Sequence, residues 1–229
     1  MKKGIFYAVG VGTEPMDLTL RAKQVLEQAD VIVKPVRQIG VSSVAYSIAA
    51  TAVNLKQTET LELVFPMQIQ TDYRNRLQDG CLQPVCDYLE AGKNVAMVTL
   101  GDVSIYSTAT YVRQVLAEKG YETVIIAGIS SFSAGAAKAK CSLCENQESL
   151  VVLPAVTSKE EVEAALEQFD TLVLMKAGRA LSWLIPLLTE KQMLSRTIML
   201  CNIGMEGEYI GMPFIANTSY FTTLIIKKK

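Results

Sequence analysis

Residues 94–128 have the sequence NVAMVTLGDVSIYSTATYVRQVLAEKGYETVIIAG, and this stretch indicates how the chain folds. The apolar run from Asn94 to Leu100 is typical of a buried strand, and the helical pattern that follows it ends at Gly120. A second apolar run, from Thr123 to Ala127, predicts the next strand. Because a strand, a helix and a strand succeed one another at this spacing, we expect parallel pairing and a right-handed crossover.

The same alternation extends towards the N-terminus. Apolar runs at Ile5–Val9 and Val31–Val33 predict two strands, and Pro35 is expected to end the second of them. Between these strands, apolar residues from Ala22 to Ala29 recur three and four positions apart, which predicts an amphipathic helix. A helical pattern from Asp72 to Ala91 contains a glycine and a proline, so we expect it to kink or break.

The pattern changes after about residue 145. Strand-like runs now crowd together near the C-terminus, which favours antiparallel pairing: Thr197–Asn202, Glu208–Gly211 and Tyr220–Ile226. The sequence therefore predicts two α/β domains. The first, residues 1–140, has a mostly parallel sheet, and the second, residues 141–229, has a mixed sheet.

Composition limits the classes of function. Of the 229 residues, 50% are hydrophobic and 20% are charged, which is typical of a folded soluble protein. The formal net charge of -1 provides no general basic field, so we expect no nucleic-acid partner. The apolar run after Gly4 is too short for a signal peptide, and no run reaches the roughly 18 residues of a membrane helix, so we expect a cytoplasmic protein that does not contact membranes.

The five cysteines are expected to be reduced structural thiols. Cys141 and Cys144 have the spacing of a metal-binding or redox pair. A zinc site would need a second such pair or histidines, and the chain contains no histidine. We therefore expect no metal site.

Several catalytic and nucleotide-binding patterns are missing or weak. Without histidine, a conventional serine or cysteine triad is excluded. Gly10 and Gly12 begin a dinucleotide-binding pattern, but Pro15 stands where its third glycine belongs, and no glycine-rich phosphate loop with a lysine occurs. A nucleotide-binding oxidoreductase and a non-catalytic binding domain remain as alternatives.

Glycine-rich turns follow three of the predicted strands, at residues 10–12, 101–102 and 128–131. In an open α/β sheet, ligands bind beyond the carboxyl ends of the strands, and glycine lets backbone amides approach a ligand closely. Since the sequence suggests no packing reason for these glycines, we expect the turns to form a ligand site.

The residues around these turns resemble one known family. Residues 98–108, VTLGDVSIYST, are similar to the LGDPS-x-YST loop of the tetrapyrrole methylases, and residues 128–134, GISSFSA, resemble their PGISSFSAAAA segment. Gly10-Val11-Gly12 with residues 18–22, LTLRA, is similar to the N-terminal motif of that family. The chain departs from the family in three places: Val103 and Ala127 replace prolines, and the N-terminal loop is one residue shorter.

This resemblance implies an S-adenosylmethionine-dependent C-methyltransferase that acts on a tetrapyrrole. It implies a homodimer whose cofactor lies in a cleft between two α/β domains. The Tyr-Ser-Thr and Ser-Ser-Phe-Ser variants, with Phe65-Pro66-Met67, point to methylation at C20 of precorrin-2 or its cobalt complex in cobalamin biosynthesis. Another corrin-pathway methylase is the nearest alternative, and the sequence leaves open whether the substrate carries cobalt.

The resemblance also assigns site residues. The cofactor-binding residues that it implies are Leu100, Gly101, Asp102, Ser104, Ile105, Tyr106, Ser107, Ser130, Ser131, Phe132, Met175, Lys176, Ile203 and Gly204. The substrate is rich in carboxylates and needs cations, so its candidate contacts are Arg21, Lys34, Arg37 and Arg179. Gly12, in the N-terminal motif, is a further candidate substrate contact. No catalytic residue is assigned, because the chain lacks histidine and the sulfonium methyl donor is already activated.

Overall fold

The computed structural model describes residues 2–65, 80–154, 158–214 and 219–228. The chain forms two compact units, Met1–Ser130 and Ser131–Lys229, which we call the first and second units. The division falls at Ser130, whereas the sequence suggested residue 140. Among the described helices, none combines the length and the apolar character that a membrane span requires.

The first unit is a five-stranded parallel sheet flanked by helices. The strand order is β3-β2-β4-β1-β5, and every pairing is parallel, which confirms the prediction for this half of the chain. The elements in chain order are β1 Phe6–Gly10, α1 Leu20–Gln28, β2 Val31–Val36, α2 Val44–Ala52, β3 Glu59–Val64, α3 Gln83–Glu90, β4 Val95–Thr99, α4 Thr108–Glu118 and β5 Thr123–Ile126.

Local signals in the sequence explain where the helices begin and end. The hydroxyl of Thr19 accepts the Ala22 N–H at 3.1 Å and caps α1. Gly92 and Gly120 follow α3 and α4 with positive φ angles of 78° and 82°, as helix-ending glycines do. Pro84 lies in the first turn of α3, so it begins this helix rather than kinking it. Residues 72–79 of the longer predicted helix lie outside the described residues.

Pro35 does not end the second strand, which was the expectation from the sequence. β2 continues to Val36 and pairs with β3 along its whole length, but with β4 only over its first three residues. The Val36 carbonyl accepts the Phe65 N–H at 2.8 Å on the β3 side. The backbone nitrogen of Pro35, one residue earlier, therefore points to the β4 side, where pairing has already stopped. The sheet loses no hydrogen bond because this nitrogen carries no hydrogen.

The three central strands of the first sheet, β1, β2 and β4, are largely apolar on both faces. Met97 of β4 packs with Phe6 in one core cluster, and Val98 packs with Val9 in another cluster on the opposite face. Their side chains are fully buried. This burial explains the continuous apolar runs from which the strands were predicted.

The second unit is a mixed five-stranded sheet with order β6-β7-β10-β8-β9. β6 and β7 are parallel, and the other three pairings are antiparallel, which confirms the predicted change of pattern. Its elements are α5 Ser131–Lys138, β6 Leu150–Pro154, α6 Lys159–Gln168, β7 Thr171–Met175, α7 Leu181–Glu190, β8 Thr197–Cys201, β9 Tyr209–Gly211 and β10 Thr222–Lys227.

The packing of helix α5 explains why the units divide at Ser130 and not near residue 140. The sequence placed it in the first domain, but it contacts β10 of the second sheet. A Cβ atom on Gly135 would lie 2.4 Å from the Leu200 side chain, so glycine permits this close packing on β8. The helix therefore belongs to the compact unit that starts at Ser131.

Candidate functional site

The carboxyl ends of three strands lie side by side in the first unit. β1 is paired with β4 on one side and with β5 on the other, and Gly10 is opposite Thr99 in the register. The turns that follow these strands therefore meet at one edge of the sheet. This is the edge at which open α/β sheets bind ligands.

Backbone hydrogen bonds join the turns after β1 and β4. The Gly101 N–H donates to the Gly12 carbonyl at 2.8 Å, and the Gly12 N–H donates to the Gly101 carbonyl at 3.2 Å. Both glycines have positive φ angles, 74° and 72°, which side-chain-bearing residues rarely adopt. Beside this pair, the Val11 N–H donates to the Thr99 carbonyl at 3.0 Å.

The glycines of these turns have a packing role that the sequence did not suggest. A Cβ atom on Gly128 would lie 2.2 Å from the Gly101 carbonyl oxygen and 2.7 Å from the Gly10 carbonyl carbon. A Cβ atom on Gly10 would lie 2.7 Å from the Gly128 nitrogen. The expectation that packing does not require these glycines is therefore wrong, because three turns are packed backbone against backbone.

The carboxylate of Asp102 is hydrogen-bonded within the same turns. Its Oδ2 accepts the Gly128 N–H at 2.7 Å, and its Oδ1 accepts the Ser104 N–H at 2.8 Å and the Ser104 hydroxyl. Burial by itself raises the pKa of Asp102, but the hydrogen bonds from Ser104, Gly128 and Val103 outweigh it and lower the pKa below its usual value. The side chain is thus an anion near neutral pH.

The rest of the loop after β4 is held by the helix that follows it. Val103, which replaces the proline of the family motif, is fully buried in the core. Its carbonyl accepts the Thr110 hydroxyl at 2.9 Å. Ser107 caps α4, and its hydroxyl is 2.9 Å from that of Thr99 in a buried pair. These contacts replace the restraint that proline would supply.

Other predicted cofactor residues of this loop face outward. Ser104 and Tyr106 are exposed, whereas Leu100 and Ile105 are half-buried. Tyr106 has a left-handed backbone with φ of 48°, and 45% of the residue is exposed. Residues 100–107 thus lie at one edge of the first sheet. Ser130, two residues beyond Gly128, lies in the neighbouring turn.

Gly12, a predicted substrate contact, lies in a compact loop. The N–H and hydroxyl of Thr13 donate to the Asp17 carboxylate at 2.9 and 2.6 Å. A Cβ atom on Gly12 would lie 2.2 Å from the Cβ atom of Asp17. Glycine is therefore required here by the loop itself.

The predicted substrate cations differ in their surroundings. Arg21 and Arg37 are exposed. Lys34 is half-buried, lies 3.2 Å from a Glu62 oxygen and stands 5.2 Å from the Tyr46 ring centroid. In the sequence analysis, Glu62 was missed, because only the pairing of β2 with β3 places it opposite Lys34.

Glu62 also holds the loop after β2. Its carboxylate accepts the Gly40 N–H at 2.9 Å. This hydrogen bond and, after it, the one from Lys34 lower the pKa of Glu62. Lys34 is therefore partly neutralised by the protein.

In the second unit, two sets of predicted residues lie at one end of the sheet. Met175 ends β7, and Ile203 and Gly204 follow β8. β10 lies between these strands, and its Thr223 is opposite Met175 on one side and Leu200 on the other. Both turns therefore flank the start of β10.

Lys176 follows Met175 with a left-handed φ angle of 60°. Its ammonium group lies 5.6 Å from the Tyr220 ring centroid, within the range of a cation–π contact. Arg179 is exposed in a short 3-10 helix, Ala177–Ala180.

A carboxylate that was missed in the sequence analysis supports the turn after β8. Glu208 accepts the Gly204 N–H at 2.6 Å and forms an ion pair of 2.8 Å with Lys138. The Gly204 N–H and, after it, Lys138 lower the pKa of Glu208. Lys138 ends α5, the helix that begins with the predicted residues Ser131 and Phe132, of which Phe132 is buried.

All five cysteines are free thiols. Cys141 is half-buried and Cys144 is exposed. Within the described residues, no group of three cysteine, aspartate or glutamate side chains is placed to hold a metal ion.

Comparisons with known proteins agree with this architecture. The chain is 38% identical over 176 residues to a protein of Methanocaldococcus jannaschii named probable cobalt-precorrin-2 C(20)-methyltransferase, covering 77% of this chain and 73% of that protein. It is 29% identical to the cobalt-precorrin-2 C(20)-methyltransferase of Salmonella typhimurium, covering 99% and 97%.

Solved structures share the fold. The uroporphyrin-III C-methyl transferase of Thermus thermophilus, solved with S-adenyl homocysteine, superposes with a TM-score of 0.71 at 16% identity and covers 98% of each chain. The sequence model of one protein family, the tetrapyrrole (corrin/porphyrin) methylases, matches residues 6–216 of this chain. The match to the family model and the 38% identity to a curated relative show that this chain belongs to the tetrapyrrole methylase family, and the common fold agrees with this.

Proposed function

We propose that this enzyme transfers a methyl group from S-adenosylmethionine to C20 of precorrin-2 or of its cobalt complex, in cobalamin biosynthesis. Family membership makes the chain an S-adenosylmethionine-dependent C-methyltransferase, so the alternative of an oxidoreductase is set aside. The observation that carries the choice of substrate is the 38% identity to the Methanocaldococcus relative, whose name specifies cobalt-precorrin-2 and C20.

The edge of the first sheet is the proposed cofactor site. Support comes from the loop from Leu100 to Ser107, which lies at the carboxyl edge formed by β1, β4 and β5 and exposes Ser104 and Tyr106 there. Ser130 follows in the adjoining turn. The cofactor residues that the resemblance implies in the second unit are proposed as further contacts: Ser131, Phe132, Met175, Lys176, Ile203 and Gly204.

For the substrate, exposed cations are the proposed contacts. Arg21, Arg37 and Arg179 are exposed and can approach carboxylates, whereas Lys34 would have to share its charge with Glu62. We therefore expect the arginines to contribute more to substrate affinity than Lys34 does. Gly12 would act through the shape of its loop.

No residue is proposed as a strong base. The chain has no histidine, and the lowered pKa of Asp102 makes its carboxylate a weak proton acceptor. The protein's contribution is alignment of the methyl group with the attacking carbon. Holding two partners in line can supply roughly 7–11 kcal/mol of the barrier.

We also propose that the enzyme is a homodimer in the cytoplasm. The family resemblance supports the dimer. The five free thiols fit a reducing compartment. Sedimentation at enzyme concentrations near those of the assay would test the dimer.

The experiment that tests the function uses both forms of the substrate. The enzyme is incubated with S-adenosylmethionine carrying a ¹³C-labelled methyl group and with either precorrin-2 or its cobalt complex. We expect one added methyl group by mass, and carbon NMR should place it at C20. A methyl group at another ring carbon would assign the enzyme to a different corrin-pathway step, and no transfer to either substrate would contradict the proposal.

A further inference from the structure

The Asp102 carboxylate ties together two turns that are far apart in the chain. Gly128, whose N–H donates to Oδ2, is 26 residues further on, so this contact forms only when β4, β1 and β5 have paired. On the same carboxylate, Oδ1 accepts both polar groups of Ser104 from the turn after β4. One side chain therefore spans the two turns.

The hydrogen-bonding capacity of this carboxylate is largely used. An ionised carboxylate offers about four acceptor positions. The N–H groups of Gly128, Ser104 and Val103 and the Ser104 hydroxyl all contribute to stabilising its charge. Little capacity is left for a ligand, and a carboxylate stabilised in this way is a poor base.

Glycine packing and the Asp102 contacts act in opposite directions. The backbone contacts among Gly10, Gly101 and Gly128 set how closely the turns can approach. They do not prevent the turns from separating. Asp102 supplies the attraction, because its hydrogen bond holds the turn after β5 against the turn after β4.

We propose that Asp102 is a positioning residue, which sets the spacing of the two turns without contacting the cofactor or the reacting carbon. The proposal rests on the proposed function, in which both turns bind S-adenosylmethionine. It replaces, for Asp102 alone, the direct cofactor contact that the resemblance implies.

The principal variant is Asp102→Asn. The amide keeps one acceptor oxygen but presents an NH₂ group to one of the donors now bonded to the carboxylate. We expect the Kd for S-adenosylhomocysteine, measured by calorimetry, to rise about tenfold, the factor that corresponds to one lost hydrogen bond. With both ligands saturating, the single-turnover rate should fall by less than about tenfold, because loss of a general base costs about 10²–10⁴-fold.

Asp30→Asn is the matched control. Asp30 precedes β2, and its Oδ2 accepts the Asn94 N–H at 2.7 Å at the opposite, amino edge of the same sheet. The control removes a comparable carboxylate–amide contact away from the glycine turns. We expect its S-adenosylhomocysteine affinity to match that of the wild type. An equal loss of affinity in both variants would indicate general destabilisation and overturn the positioning role.

A second measurement does not depend on ligand binding. Amide hydrogen exchange at Gly128 should accelerate in Asp102→Asn and stay unchanged in Asp30→Asn, because only the first variant replaces the charged acceptor of this N–H by a neutral side chain. Unchanged exchange and unchanged affinity would overturn the proposal, and normal binding with transfer lost by more than about 10²-fold would make Asp102 a catalytic group. Failure of the wild type to bind S-adenosylhomocysteine would contradict the proposed function, while the exchange experiment would still test the tie between the turns.

Discussion

The glycine turns at the carboxyl edge of the first sheet and the turns of the second unit use glycine and acidic residues in different ways. In the first unit, Gly10 and Gly128 pack against backbone atoms of neighbouring turns. In the second unit, a Cβ atom on Gly135 would meet the end of the Leu200 side chain, and one on Gly211 would meet the hydroxyl of Tyr209. Backbone atoms held in a hydrogen-bonded sheet cannot move aside, whereas the end of a side chain can change rotamer.

The acidic residues that support the turns show a parallel difference. Asp102 is stabilised by neutral donors, namely N–H groups and a hydroxyl. Glu208 accepts one N–H group, from Gly204, and its other partner is the charged Lys138. Salt screens interactions between exposed charges far more than it weakens short hydrogen bonds to neutral donors. The turns that Asp102 joins, after β4 and β5, should therefore be insensitive to salt.

The largest expected effect comes from Gly128→Ala. Its new methyl group would lie 2.2 Å from the Gly101 carbonyl oxygen, and relief would require separating paired turns. We expect the free energy of unfolding to fall by about 3 kcal/mol, as in other overpacked sites, in urea unfolding followed by circular dichroism.

Gly135→Ala in α5 is the comparison variant. The Leu200 side chain can rotate away, and alanine is a better helix former than glycine by about 1 kcal/mol. We expect a net change of less than about 1 kcal/mol. Equal losses in the two variants would show that the contrast between backbone and side-chain contacts does not hold.

A smaller effect on the free energy of unfolding is expected when Asp102 is replaced or is protonated by acid. Because the folded state lowers its pKa, this carboxylate stabilises the fold above its unfolded-state pKa, and that contribution disappears as the pH falls through the lower folded value. Asp102→Asn should lower the free energy of unfolding by about 2 kcal/mol at pH 7. The difference from the wild type should shrink in urea titrations below about pH 4; a difference that is constant with pH would contradict the assignment.

The smallest effect is expected from Glu208→Gln. The ion pair with Lys138 is about one-third exposed on each side chain, so solvent screens it. We expect a loss of about 0.5 kcal/mol in dilute buffer, decreasing in 1 M salt. The stability difference between Asp102→Asn and the wild type should change little under the same conditions. If salt reduced both losses equally, the distinction between neutral and charged partners would be wrong.

Much of the fold could be predicted, because the central strands of the first sheet, β1, β2 and β4, are buried on both faces. The run Asn94–Leu100 was expected as a strand and contains β4, and the helical pattern expected to end at Gly120 contains α4, which Ser107 caps. Pro35 was misjudged, because its tolerance in β2 depends on where pairing with β4 stops.

The candidate site was predicted only in part. Sequence similarity pointed to the loop from Leu100 to Ser107, which does lie at the carboxyl edge of the sheet. Glu62 and Glu208 were missed, because neither lies in a recognisable pattern and each acts on a residue distant in sequence. The packing role of Gly10 and Gly128 was missed for the same reason.

The sequence by itself determined the order of strands and helices, the change from a parallel to a mixed sheet, and membership of the tetrapyrrole methylases. These depend on apolar periodicity, on capping residues and on short sequence motifs, all of which are local. Only the tertiary structure decided which turns touch, that Gly128 packs on Gly101, and that Asp102 bonds to Gly128. Such contacts depend on strand register, which no local stretch of sequence contains, because each strand's neighbours come from elsewhere in the chain.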